Sequence, residues 1–203
     1  HFNAAPADLV AVGAAVCHSP AEAAEAADII ILMVPNTPQV EDVLFGDNGV
    51  EKGLTAGGAT GKLVIDMSSI SPIATKAIAA RINEGGASYL DAPVSGGEVG
   101  AINAALTIMV GGAQDAFDKA RPLFEIMGKN ITLVGDNGAG QTCKVANQII
   151  VALNIEAVSE ALVFASKAGA DPARVRQALL GGFANSKILE VHGERMVEGT
   201  FDP

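Results

Sequence analysis

Aromatic residues, cysteine and histidine are scarce in this chain, and each scarcity excludes a class of protein. It has no tryptophan, one tyrosine and seven phenylalanines among 203 residues, so aliphatic side chains must build the core. Its two cysteines, Cys17 and Cys143, stand far apart, which excludes a disulfide framework and favours a reducing cytoplasm. Its histidines do not stand at metal-ligand spacing, so we predict no metal site.

Positive charge is also in short supply. Lysine and arginine together number 13 against 23 aspartates and glutamates, which gives a net charge of −10 at pH 7. This excess would repel a nucleic-acid backbone and an anionic membrane surface, so we expect neither partner. The sequence shows no signal peptide and no uninterrupted membrane-spanning run. A small anionic substrate remains compatible if local positive groups or backbone N–H groups receive it.

Strands and helices alternate through the first two thirds of the chain. Apolar runs separated by helical segments predict strands at 28–35, 62–68, 87–91, 105–112 and 130–134. The first of these runs is continuous, which indicates a strand buried on both faces. The alternation predicts an α/β fold with a Rossmann-type doubly wound sheet, as a dinucleotide-binding domain over residues 1–136.

The remainder of the chain, 137–203, predicts helices only, at 141–167, 172–180 and 188–197. We expect this part to be the start of an all-α domain for substrate binding and dimerisation. Both chain ends look cut, because His1-Phe2-Asn3 is typical of the end of a strand and the last helix lacks a packing partner. We therefore expect a fragment in which both domains are incomplete and the first strand is missing.

Ligands of doubly wound sheets bind beyond the carboxyl ends of the strands. Two such ends carry Met33-Val34-Pro35-Asn36 and Ser68-Ser69. These residues are candidates for contact with the ribose and nicotinamide of a dinucleotide. The alternative is structural, with Pro35 stopping a strand and the serines capping a helix.

A third strand end carries Ser95-Gly96-Gly97. The two glycines leave backbone N–H groups unshielded and the serine adds a hydroxyl, which together form a small anion site suited to a carboxylate. The alternative is an ordinary turn, since most Ser-Gly-Gly sequences bind nothing.

Lys144 stands near the start of the long apolar helix, with Asn147 and Gln148 on the same face at i+3 and i+4. An ammonium can protonate the alkoxide that forms when a hydride reaches a carbonyl carbon, and it stabilises the developing charge. Partial burial would lower the lysine pKa and assist this transfer. The alternative for the same residues is a solvated polar edge of the helix.

Three segments resemble the β-hydroxyacid dehydrogenase family, which includes 3-hydroxyisobutyrate dehydrogenase. They are the Asp-Ala-Pro-Val-Ser-Gly-Gly motif at 91–97, the run at 106–112, and the Gly-x-Gly-x-x-x-Lys-x-x-Asn motif at 138–147. The resemblance implies that Lys144 is the general acid/base with Asn147 beside it, and that residues 95–97 bind the substrate carboxylate. It also implies that residues 33–36 and Ser69 line the cofactor, and we add Gln148 as a contributor to substrate choice.

The resemblance implies reduction of a short, anionic semialdehyde with a nicotinamide cofactor. Tartronate semialdehyde, reduced to glycerate, is the leading substrate, and 3-hydroxyisobutyrate or another short 3-hydroxy acid is the alternative. No lysine or arginine precedes Lys52 to bind a 2′-phosphate, so we expect NAD, with NADP possible.

Two features of the family fall outside this sequence. The Gly-x-Gly-x-x-Gly loop that holds the pyrophosphate should precede His1, and later helices with a second lysine should follow Pro203. If the chain were complete, we would expect weak dinucleotide binding and no turnover, so a non-catalytic dimerisation module is a further alternative. The long apolar helix also predicts a homo-oligomer.

Overall fold

The computed structural model describes residues 6–201, and the chain divides between Lys144 and Val145 into two compact units. The residues up to Lys144 form the first unit and those from Val145 form the second. The strand end predicted at His1-Phe2-Asn3 lies outside the described residues.

The sheet of the first unit begins with three parallel strands: β1 (Ile29–Leu32), β2 (Leu63–Asp66) and β3 (Ser88–Asp91). Leu32 pairs with Asp66, and Asp66 with Asp91, so the three strands end side by side. The segments that follow them therefore meet at one edge of the sheet, as the sequence predicted.

The sheet is completed by β4 (Val94–Ser95), β5 (Leu106–Gly111) and β6 (Gly128–Gly135). Strand β5 runs antiparallel to β3 and β4, and β6 lies parallel to β5 on its other side. The chain reverses after Ser95, so it returns beside the strand that it has just left. The predicted α/β class is confirmed, with a sheet that is mixed rather than parallel throughout.

Seven helices of the first unit are described: α1 (Ala7–Ala11), α2 (Pro20–Ala26), α3 (Thr37–Phe45), α4 (Val50–Gly57), α5 (Pro72–Glu84), α6 (Gly97–Ile102) and α7 (Gln114–Met127). Serine caps begin two of them, and the serine that caps α5 is Ser71 rather than Ser68 or Ser69. The Ser19 hydroxyl accepts a bond from the Glu22 N–H at 3.1 Å, and Ser71 serves α5 in the same way. Helices α4 and α6 and strand β4 were not predicted.

The helices cover both faces of the sheet with separate apolar clusters. Val64 and Tyr89 point into one cluster, whereas their neighbours Leu63, Ile65 and Leu90 point into the other. This is the alternation that a pleated strand imposes. Aliphatic side chains dominate both clusters, as the scarcity of aromatic residues required.

One expectation about burial is wrong. Strand β1 was predicted to be buried on both faces, but Ile31 is 46 % exposed while Ile30 and Leu32 are buried. Strand β1 lies at the edge of the described sheet, and only one of its faces is covered there. The continuous apolar run therefore predicted the strand correctly but its burial incorrectly.

The second unit is helical. Helix α8 (Ala139–Lys167) crosses into it from the first unit and is followed by α9 (Pro172–Leu180) and α10 (Lys187–Glu198). Val158, Leu162 and Leu189 form its small core. By length and composition alone α8 could also cross a membrane, a property that it shares with the core helices of many soluble proteins.

A buried lysine fixes the end of α2 against the sheet. Lys62 is 8 % exposed, and its ammonium donates to the carbonyls of Ala24, Glu25 and Ala27 at 2.5, 2.8 and 3.0 Å. These are the orphan carbonyls at a helix C-terminus, where a positive charge is favourable. Lys62 thus stabilises α2 on the segment that leads into β1.

We expect Lys62→Met to lower the free energy of unfolding by about 1–3 kcal/mol, because buried carbonyls lose charged donors. Urea denaturation followed by circular dichroism measures this change. Lys129→Met, at an exposed position, is the matched control and should change stability by less than about 0.5 kcal/mol. Equal effects of the two substitutions would contradict this role for Lys62.

Candidate active site

The segments after β1 and β2 are joined by a serine hydroxyl. Val34 N–H donates to Ser68 Oγ at 2.9 Å, and Ser68 N–H donates to Asp66 Oδ1 at 2.9 Å. Asp66 is fully buried and also accepts a bond from the Tyr89 hydroxyl at 3.0 Å. Burial raises the pKa of Asp66, while these hydrogen bonds act in the opposite direction.

These bonds bring the predicted cofactor residues to one edge of the sheet. Met33, Pro35, Asn36 and Ser69 are exposed there, and Val34 is half-buried. The surface combines apolar side chains with an amide and a hydroxyl, above a backbone that Ser68 holds in place. Such a surface suits a flat ring with polar substituents.

At the end of β3, a buried carboxylate receives the first turn of α8. Asp91 is fully buried, and its two carboxylate oxygens accept bonds from Gly138 N–H at 2.7 Å and Gln141 N–H at 2.9 Å. Burial raises the pKa of Asp91, and the bonds from the backbone N–H groups oppose that shift. A negative side chain at a helix N-terminus satisfies orphan donors and complements the helix dipole.

Gln141 joins the same turn of α8 to the segment after β2. Its side chain is 1 % exposed, donates to the Ser68 carbonyl at 2.6 Å, and accepts from Ile70 N–H at 3.1 Å. Ser69, a predicted cofactor residue, lies between these two bonds. The amide therefore connects the predicted cofactor edge to the helix that carries Lys144.

Two glycines allow α8 to lie directly against the strands. A Cβ atom at Gly140 would stand 2.7 Å from the Asp91 carbonyl and nearer still to that of Met109. A Cβ atom at Gly111 would stand 2.7 Å from Asp91 Oδ1 and 2.8 Å from Gly140 N. Gly111 and Gly140 thus permit a close approach of backbone to backbone.

Lys144 follows one turn later and is half-buried. Among residues 6–201, no hydrogen bond or ion pair to its ammonium is present. Desolvation lowers the pKa of Lys144 below the ordinary lysine value. A lysine in this state gives up its proton more readily than an exposed one.

The Ser95-Gly96-Gly97 turn leads from β4 into α6. Gly96 has φ 135° and Gly97 has φ 61°, conformations that favour glycine. Gly97 and Glu98 are exposed, and a Cβ atom at Gly97 would have no neighbour within 4 Å. The turn is open, as an anion site requires, although the negative charge of Glu98 lies beside it.

Contacts along β5 connect this turn with the helix that carries Lys144. Ser95 pairs with Thr107, and α8 touches β5 at Met109, two residues or about 7 Å further along the strand. Helical side chains lean toward the N-terminus of their helix, which for Lys144 is the turn that contacts Asp91. The convergence of Lys144 with the Ser-Gly-Gly turn stays a prediction that these contacts favour.

The polar residues that follow Lys144 on α8 belong to the second unit. Asn147 is half-buried and donates to Gln148 Oε1 at 2.8 Å, and Gln148 is exposed. In the part of the chain that the structure describes, no hydrogen bond joins Asn147 to Lys144. The predicted roles of the two amides stay predictions.

Sequence reasoning assigned no role to Asp66, Asp91 or Gln141. The available signal was the position of Asp66 and Asp91, since each is a carboxylate at the end of a predicted apolar strand. A buried carboxylate requires donors. The backbone N–H groups at the glycine-rich start of α8 were candidate donors, because no other partner had been predicted for them.

Two known families of nucleotide-binding domains match nearly the whole of this chain. Residues 2–135 match the family described as the NAD binding domain of 6-phosphogluconate dehydrogenase. Residues 138–203 match the family described as NAD-binding of NADP-dependent 3-hydroxyisobutyrate dehydrogenase. The chain belongs to the β-hydroxyacid dehydrogenase family.

Individual members of the family are similar over nearly the whole chain. The 2-hydroxy-3-oxopropionate reductase of Escherichia coli is 65 % identical over 97 % of this chain and 66 % of that protein. The NAD-dependent L-serine dehydrogenase of Pseudomonas aeruginosa is 39 % identical over 91 % of this chain and 60 % of that protein. The chain thus spans two thirds or less of the length of these relatives.

A solved member of the family has the same fold. The Mycobacterium tuberculosis 3-hydroxyisobutyrate dehydrogenase, solved with L-serine, superposes with a TM-score of 0.84 at 32 % identity. The superposition covers 96 % of this chain and 67 % of that one. Both matched families are nicotinamide-nucleotide-binding. The surface after β1 and β2 exposes apolar side chains, an amide and a hydroxyl, which are groups able to contact a nicotinamide riboside.

We expect Gly140→Ala to lower the free energy of unfolding by about 1–3 kcal/mol, because the new methyl group would overlap two backbone carbonyls. Thermal and urea unfolding measure the change. Gly181→Ala is the matched control, since its nearest neighbour would be 3.7 Å away, and it should stay within about 0.5 kcal/mol of the parent. A Gly140→Ala protein as stable as the control would refute the close approach.

Proposed function

We propose that the protein containing this chain reduces tartronate semialdehyde (2-hydroxy-3-oxopropanoate) to glycerate with NAD(H). The observation that carries the proposal is the half-buried Lys144, with a lowered pKa, on a helix start fixed to the carboxyl end of β3. The 65 % identity to the E. coli reductase supports this choice of substrate.

In this mechanism each group of the chain has one task. The surface formed by residues 33–36 and Ser69 would hold the nicotinamide riboside, which supplies the hydride when bound. The hydride adds to the aldehyde carbon, and the carbonyl oxygen takes the electron pair of its broken π bond. Lys144 donates its proton to that oxygen and is reprotonated from solvent, so the product is an alcohol and the lysine is unchanged.

The Ser95-Gly96-Gly97 turn would bind the substrate carboxylate through backbone N–H groups and the serine hydroxyl. Asn147 would orient the lysine or the substrate, and Gln148 would contribute to substrate choice. Both must exchange their mutual hydrogen bond for these contacts. Within this proposal the first domain binds dinucleotide and the helical domain, from 137 onward, binds substrate and mediates dimerisation.

Two alternatives follow from particular observations. The superposition on a 3-hydroxyisobutyrate dehydrogenase favours that alcohol as the second candidate substrate. The match to an NADP-dependent family keeps NADP as the second candidate cofactor, although the absence of lysine and arginine before Lys52 favours NAD.

The two free, half-buried cysteines agree with the cytoplasmic location that we propose. A non-catalytic dimerisation module is the outcome if the full-length protein lacks all turnover.

We expect Lys144→Ala to lower kcat/KM for tartronate semialdehyde by about 10²–10⁴-fold, with NADH affinity changed by less than about threefold. NADH oxidation by the full-length protein, with methylmalonate semialdehyde (the aldehyde that is reduced to 3-hydroxyisobutyrate) and other short aldehydes as comparison substrates, measures this. Lys167→Ala, an exposed lysine of the same helix, is the control. Normal turnover by Lys144→Ala would contradict the catalytic assignment.

The assignment of Lys144 as the proton donor also predicts how the rates of reduction and oxidation depend on pH. Reduction needs the protonated lysine, so its rate should fall as pH rises through a pKa below the ordinary lysine value. Glycerate oxidation needs the neutral amine and should show the opposite limb. Both limbs should vanish in Lys144→Ala.

We also propose a homo-oligomer formed through the second unit. Helix α8 exposes Ile149, Ile150 and Leu153 on consecutive turns, together with Phe164, which is 75 % exposed. Apolar patches of this kind on helices mark interfaces more often than free surface.

We expect multi-angle light scattering of the full-length protein at micromolar concentration to give at least a dimer. Ile150→Glu with Leu153→Glu should reduce the mass to that of a monomer, because a charge in an apolar interface is costly. The control pair Glu156→Gln with Glu160→Gln should leave it unchanged. A monomeric parent would overturn the proposal.

A further inference from the structure

Two buried side chains, those of Asp91 and Gln141, bond the first turn of α8 to the segments at the ends of β3 and β2. One carboxylate oxygen of Asp91 receives Gly138 N–H and the other receives Gln141 N–H, at 2.7 and 2.9 Å. The side chain of Gln141 adds two bonds, to the Ser68 carbonyl and from Ile70 N–H. All these groups are buried, so water does not compete for them.

Lys144 lies on α8 directly after this first turn. Gln141 precedes the lysine by three residues and Gly140 by four, so both lie under its side chain on one face of the helix. Because α8 continues without interruption from Ala139, a displacement of its first turn moves the lysine by a similar distance. A displacement of about 1 Å in a reacting group costs up to about 10²-fold in rate.

We propose that Asp91 and Gln141 are positioning residues for Lys144, which they hold in register with the carboxyl ends of β2 and β3. Asp91 fixes the helix start to β3, and Gln141 fixes it to the segment that contains Ser69. The lysine and the predicted cofactor surface are therefore positioned by one set of bonds. This inference rests on the proposed function, in which Lys144 is the proton donor.

Asp91→Asn is the principal test. The carboxamide has only one acceptor oxygen, so its NH2 group would face one of the two backbone N–H groups. That N–H group loses its hydrogen bond, and the start of the helix is held less firmly. We expect kcat to fall by about 10- to 100-fold while KM for NADH changes by less than about threefold. Asp171→Asn is the matched control, since Asp171 also caps a helix through a backbone N–H, at 2.9 Å, but in the second unit.

A second readout does not depend on turnover. The rate at which acetic anhydride modifies Lys144 against pH, followed by mass spectrometry with Lys167 as the exposed reference, reports the titration of Lys144 directly. In the parent its midpoint should lie below the ordinary lysine value, because Lys144 is desolvated. In Asp91→Asn the midpoint should rise toward that ordinary value, because the lysine leaves its partly buried position.

The outcomes separate the possible roles. If Asp91→Asn melts at a lower temperature but keeps kcat, the pH profile and the labelling midpoint of the parent, Asp91 only stabilises the fold and the proposal is overturned. If Asp91→Asn does not fold, Gln141→Met, which removes two buried bonds and keeps a helix-forming side chain, takes its place with the same readouts. Failure of both variants to fold overturns the proposal as well.

Lys144→Ala distinguishes this inference from the proposed function. If Lys144→Ala keeps its rate, the lysine is not the proton donor and the proposed mechanism is wrong, whatever Asp91→Asn does. If Lys144→Ala loses its rate but Asp91→Asn keeps it, the mechanism stands and the positioning role is wrong.

Discussion

The contact between the Asp91 carboxylate and the first turn of α8 determines how this chain assembles its candidate site. Two backbone N–H groups of a helix point at a carboxylate that closes a strand, and both partners are removed from water. The contact is possible only because Gly111 and Gly140 have no side chains. Together with the two hydrogen bonds of the Gln141 side chain, it holds the helix that carries Lys144 at the end of the sheet.

Buried polar groups recur along this edge of the sheet, and each has its donor. Asp66 receives the Tyr89 hydroxyl and Ser68 N–H, while Ser68 Oγ receives Val34 N–H. Gln141 uses both ends of its amide. Removing a buried partner leaves the other group unsatisfied, which is costly, so the network favours a single arrangement of the edge. A catalytic site benefits from this because its exposed groups then project from a rigid frame.

Periodicity and caps made much of the fold predictable from the sequence. The sequence predicts helices over 72–84 and 114–127, and α5 and α7 have these bounds because Pro72 and Gln114 begin them and the apolar spacing is clear. Helix α4 was missed because Gly57, Gly58 and Gly61 suggested a loop. In the fold, Gly53 lets α4 lie against the Ala21 carbonyl. The exposure of Ile31 was missed because a sequence run does not reveal whether a strand has one neighbour or two.

Only part of the candidate site could be proposed from the sequence, because only part of it follows from the order of strands and helices. Residues at strand ends could be proposed from the sequence because the topology of a doubly wound sheet places them together. The roles of Asp91 and Gln141 were not found, since they depend on contacts about 50 and 70 residues apart in sequence, which no local pattern encodes.

The lone tyrosine of this chain has a consequence for observing it. Because the chain has no tryptophan, its near-ultraviolet absorption and emission arise almost entirely from Tyr89, whose hydroxyl is bound to Asp66 beneath the edge where β1 and β2 end. Tyr89 is therefore an intrinsic chromophore that lies within the polar network beneath the candidate site. Spectral changes in this chain would report on that network without any attached dye.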